Sequence, residues 1–176
     1  MKFTKLALLS AAILALTVFT PQPAQAHQDD LVSFGLGIYD VGGDDDSVDF
    51  RAEYRWGKDL LWGIKPFAGV NASGNGALYG LGGLYGDINL TKNLYLTPSF
   101  GAGLYSDGGG KDLDHVLEFR SQLELGYKFE SQDRISVAYS HTSNAGLGDE
   151  NPGLETLNLY YHVPVARLFG GPVRAE

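Results

Sequence analysis

Val48 to Trp56 reads VDFRAEYRW. Val48, Phe50, Ala52, Tyr54 and Trp56 alternate with Asp49, Arg51, Glu53 and Arg55. A period of two is the mark of a β-strand with two unlike faces. The polar face here carries four charges of both signs in register, able to pair with one another. A soluble barrel would turn that face to water. A membrane barrel turns the apolar face to lipid and fills its interior with the polar one. Alternation alone is compatible with both, so the rest of the chain has to decide.

The same pattern recurs along the chain. Val32, Phe34, Leu36 and Ile38 share one face of a first strand. A third runs from Ile64 to Ala72 and a fourth, rich in glycine, from Ala77 to Asn89. The fifth sets Leu94, Leu96, Pro98, Phe100, Ala102 and Leu104 on one side. Pro98 weakens it by removing a ladder donor. The sixth sets Leu117, Phe119, Leu123, Leu125, Tyr127 and Phe129 against Glu118, Arg120, Gln122, Glu124 and Lys128, with Ser121 as the exception on the apolar face. The seventh and eighth flank the loop 144–153. An even count of eight, with aromatics near strand ends (Tyr54, Trp56, Trp62, Tyr127, Phe129), predicts an all-β, eight-stranded antiparallel transmembrane β-barrel of the outer-membrane type. Longer connections are expected after the odd strands, with the loop 144–153 at the cell surface. The interior is expected to be a packed plug of Arg51, Arg55, Arg120, Glu53, Glu118 and Glu124.

The N-terminus supports that placement. Lys2 and Lys5 precede an apolar run from Leu6 to Phe19, and Ala24-Gln25-Ala26 has the small-x-small cleavage pattern. Residues 1–26 are read as a cleaved signal peptide and 27–176 as a single outer-membrane barrel domain. The leader's two lysines are its only charges, so its loss takes the net charge from −8 to −10. A chain this acidic is a poor partner for nucleic acid. It has no cysteine, so it has no disulfide framework or thiolate metal site. Asp44-Asp45-Asp46 lacks the glycine and distal glutamate of a calcium loop, and the GxG runs at 80–86 lack a following helix. His27 and His115 read as solvated, and His162 as a hydrogen-bonding group of the interior.

Ile135 to Val165 reads ISVAYSHTSNAGLGDENPGLETLNLYYHVPV. His141 and Ser143 share parity with Ile135, Val137 and Tyr139. Glu155 shares parity with Leu157, Leu159 and Tyr161. A base, a hydroxyl and an acid therefore lie on the apolar face. Serine is a poor nucleophile until a base takes its proton, and an acid can orient that base. Asn144, Asn151 and the backbone N–H groups around Gly146 offer candidate oxyanion donors.

HTSNAGLGDENPGLE resembles the signature of the PagL-type lipid A 3-O-deacylases, and GLGIYDV resembles the opening of that family's barrel. The resemblance implies His141 as the catalytic histidine, Ser143 as nucleophile and Glu155 as third member, with Asn151 in the oxyanion hole. Asn144 and Gly146 are weaker candidates for that hole. It also implies lipid A within lipopolysaccharide as substrate, outer-membrane lipids as surroundings, and no metal or other cofactor. A homodimer is compatible with this reading. The competing expectations are a passive barrel with an envelope-structural or adhesive role and a barrel that transfers the acyl chain to another acceptor. A passive barrel has no reason to place His, Ser and Glu on its lipid side.

Overall fold

A computed structural model describes residues 30–170. The expected signal peptide, His27 and the tail 171–176 lie outside the described residues. Nine strands follow in order: β1 (Leu31–Tyr39), β2 (Ser47–Arg55), β3 (Ile64–Ser73), β4 (Leu78–Gly86), β5 (Ile88–Asn89), β6 (Leu94–Ser106), β7 (Leu117–Lys128), β8 (Arg134–Ser143) and β9 (Leu154–Pro164). All pairings are antiparallel. The sheet runs β4-β3-β2-β1-β9-β8-β7-β6, and β4 also pairs with β6. The barrel is thus closed, which leaves no strand edge to be satisfied by lipid.

The short β5 completes β4. Tyr85 pairs with Ser99 and Ile88 with Leu96, which is one continuous register. The interruption at Gly86-Asp87 falls opposite Pro98 and Thr97, where proline has no N–H to donate. Thr97 Oγ1 donates to Asp87 Oδ1 at 2.6 Å across the gap. The proline expected to weaken the fifth strand therefore leaves its mark on the neighbour, and the wall has eight strands.

Burial settles which face is which. Phe34 is 55% exposed, Phe50 52% and Leu123 52%, whereas Glu53 is 3% exposed, Arg120 1% and Glu124 0%. A protein in water does not show this inside-out distribution. It is that of a membrane barrel, with lipid as the outer solvent. The interior is the predicted charge plug. Arg55 bonds Glu53 at 3.0 Å and Glu124 at 2.8 Å, and Arg120 bonds Glu53 at 2.8 Å. Arg51 bonds Asp49 at 2.6 Å. His162 is an interior group, between Ser33 at 2.7 Å and Ser136 at 2.9 Å. Glu118 is buried in the same interior, but neither of its carboxylate oxygens has a hydrogen-bond partner among the described residues. Small residues make room for these large ones: a side chain at Gly126 would overlap the Tyr95 ring.

One expectation needs correction. Loop length does not separate the two ends cleanly, because the turn 74–77 is shorter than the connection 56–63 at the opposite end. Only 107–116 and 144–153 stand out as long. The last strand ends at Pro164. One helical turn, α1 (Val165–Leu168), follows it at the end of the barrel where β1 begins. Val165 is buried there and its N–H donates to Asp30 O at 2.8 Å. Arg167 pairs with Asp133 alongside.

Candidate active site

His141 lies near the end of β8 and Glu155 near the start of β9, and the register places them directly opposite each other. Their side chains meet outside the barrel. His141 Nδ1 and Glu155 Oε1 are 2.8 Å apart, with the side chains 45% and 34% exposed. Ser143 follows two residues after His141 on the same face, half-buried at the last position of β8. All three positions expected from parity therefore share the outer wall. The ring nitrogen left over, Nε2, is the one available to a nucleophile, since Nδ1 is engaged by the carboxylate. Ser143 and His141 are not hydrogen-bonded to each other among the described residues.

The loop 144–153 joins the two strands that carry the site. Leu147 N donates to Asn144 O at 3.1 Å, with Ala145 at φ 56° and Gly146 at φ 81°. Two successive left-handed residues make a turn of the I′ kind, and alanine is an uncommon occupant of that conformation. Asn144 holds the turn together. Its Oδ1 accepts from Gly146 N at 2.7 Å and Leu147 N at 3.2 Å. Its Nδ2 donates to Leu113 O and Glu150 O, both at 2.8 Å. Asn144 is fully buried; its amide hydrogens go to Leu113 O in the loop 107–116 and to Glu150 O, and the Gly146 N–H is spent on Asn144 itself. The two weaker oxyanion candidates are therefore loop-building groups here, whereas Asn151 is exposed near the site. The long loop 107–116 braces the assembly through Leu113 O and through Asp114 Oδ2, which accepts from Glu150 N at 2.7 Å.

The profile of the family described as lipid A 3-O-deacylase (PagL) matches residues 33–164, nearly all of the described barrel. The chain belongs to the PagL family. A lipid A deacylase PagL of Bordetella bronchiseptica is 32% identical over 72 residues, 40% of this chain and 40% of the relative. One of Pseudomonas aeruginosa is 35% identical over 57 residues, 32% of this chain and 33% of the relative. These alignments span well under half the length of either relative. The crystal structure of the outer membrane enzyme PagL superposes with a TM-score of 0.60 at 21% identity, covering 77% of this chain and 99% of that one. Neisserial surface protein A does so at 0.50 and 12% identity, covering 77% and 95%. Both structural likenesses are of fold.

Behind the site, the PagL-family barrel is clamped from within. Ser140 and Thr156 are paired neighbours of His141 and Glu155 that point inward, and their hydroxyls lie 2.6 Å apart. Arg51, reaching across from β2, donates Nη2 to Ser140 at 3.2 Å and also to Thr156. The two strands that carry the acid and the base are thus tied together on the reverse of the same wall.

Two further residues of this PagL-family site go beyond the parity argument. Ser121, the polar exception on β7, lies directly opposite His141 on the side away from Glu155. The interruption of an apolar run was the signal for it, but only the register gives it an address. Gly153 lies beneath the His141 ring. Its position two residues before Glu155 put it on the outer face, yet nothing in its sequence context marks it.

Proposed function

We propose that the chain is an outer-membrane serine esterase that hydrolyses the 3-O-linked acyl chain of lipid A. The observation that carries this reading is the bonded His141–Glu155 pair beside Ser143 on the lipid-facing wall. Polar groups on that wall are costly at depth, and an ester at the head of a lipid is what they would meet near the rim. In the proposed reaction, Ser143 Oγ attacks the ester carbonyl carbon while His141 takes its proton. Glu155 holds the imidazole in position. The side chain of Asn151 and a free backbone N–H of the loop would donate to the developing oxyanion. Collapse expels the sugar oxygen, which leaves with the proton from His141. A water molecule, deprotonated by His141, then releases the fatty acid and restores Ser143. The three residues come from one wall, so the scheme needs no second copy of the chain.

Mass spectrometry of lipid A from cells with and without the protein tests the reading. The expected change is loss of one acyl chain from position 3, recovered as free fatty acid. Unaltered lipid A in cells that contain the folded barrel would leave only a passive envelope protein. Recovery of the chain on another acceptor would make the protein a transferase.

Two controls sharpen the chemistry. Ser121→Ala should keep activity within a few-fold of wild type, since its hydroxyl is not the proposed nucleophile despite facing His141. A loss comparable with that of Ser143→Ala would exchange the roles of the two serines. Purified barrel in detergent should also retain activity in excess chelator, because a triad suffices for ester cleavage. Loss restored only by stoichiometric Zn²⁺ would refute that.

A further inference from the structure

The register that sets His141 against Glu155 and Thr142 against Leu154 would, one step on, set Ser143 against Gly153. Four outward positions form a square. Three carry the proposed triad, and the fourth has no side chain. The His141 ring occupies that empty corner. A Cβ built on Gly153 would lie 2.6 Å from His141 Cε1, 3.3 Å from His141 Nδ1 and 3.4 Å from Glu155 Oε1. Carbon atoms do not approach to 2.6 Å without one of them moving. All three nearest atoms belong to the tips of side chains, and no backbone atom is among them. Cε1 lies between the two ring nitrogens. A ring whose Cε1 edge rests over residue 153 is turned toward the end of the wall that holds Ser143.

We infer that Gly153 is a positioning residue of the site: the hydrogen at 153 provides the slot in which the His141 imidazole lies between Glu155 and Ser143. The inference rests on the Ser143–His141–Glu155 reading. Alanine at 153 would displace the ring and stretch its bond to Glu155 while leaving the strands in place. The backbone offers no obstacle, because Gly153 is not among the residues with positive φ. A displacement of about 1 Å in a reacting group can lower a rate on the order of 100-fold.

The test compares wild type, Gly153→Ala, His141→Ala, Ser143→Ala and the double variant Gly153→Ala/His141→Ala, each refolded in detergent. Gly153→Ala should lower kcat between about 10-fold and 100-fold with KM within about twofold, because the ring moves and the acyl-binding wall does not. Labelling of Ser143 by a fluorophosphonate should slow in parallel. The midpoint of urea unfolding should drop when Gly153→Ala is made in the wild type, and should not drop when it is made in His141→Ala. Unchanged kcat and labelling in folded Gly153→Ala would overturn the inference. So would an equal loss of stability in both backgrounds, which would put the clash in the fold and not in the ring. If His141→Ala or Ser143→Ala kept full activity, the triad reading would fail on its own. The stability comparison would still decide whether Gly153 seats the imidazole.

Discussion

Ser143→Ala is expected to lower lipid A deacylation by a factor on the order of 10⁴ or more, with the barrel still folded. The hydroxyl is lost from the last position of β8, where it is half-buried and makes no side-chain hydrogen bond among the described residues. His141→Ala should cost about as much, because nucleophile and base act as one unit. Glu155→Ala should cost less. In the proposed scheme its carboxylate orients the ring, and it is partly open to solvent. Lipid A mass spectra from cells making each variant, together with heat-resistant mobility of the folded barrel, separate chemistry from assembly. Normal acyl loss with folded Ser143→Ala would end the serine mechanism.

Arg55→Leu is expected to destabilise the barrel by about 3–5 kcal/mol, the usual cost of breaking a buried ion pair from one side. Arg55 is buried against Glu53 and Glu124 and lies over the rings of Tyr85 and Tyr160, at 5.5 and 5.4 Å. Its loss leaves Glu53 with Arg120 and Tyr160, but Glu124, among the described residues, with only His162 and Tyr95. The orphaned carboxylate at 124 should therefore dominate the penalty. Adding Glu124→Gln to Arg55→Leu should recover part of it. Urea unfolding in detergent or vesicles reads the effect, and an unchanged midpoint for Arg55→Leu would show that the plug is not cooperative with the wall.

The legible parts of this fold were those governed by a period of two. In VDFRAEYRW and in the strand from Leu117, charges on one face and large apolar groups on the other give each side chain a direction before any partner is known. For the same reason His141, Ser143 and Glu155 could be placed outside from parity alone. Features that depend on a neighbouring strand were not legible. The break after Gly86 is caused by Pro98 on another strand. Ser121 acquires its place beside His141 only through the β7–β8 register, and Gly153 matters only because a ring leans over it. Asn144 looked like a donor to substrate because its type and position allowed it; its hydrogens are taken by Leu113 and Glu150, and no local pattern encodes that. The turn at Val165–Leu168 follows the alternating strand directly after Pro164, and one turn is too short to show a helical period.

The buried network of Arg51, Arg55, Arg120 and their carboxylates has a consequence for the cell. A wall of eight strands closed around interlocked side chains is a rod and not a tube. Solutes that a porin would pass meet salt bridges along its axis, so the envelope can hold many copies of this protein and remain an effective permeability barrier.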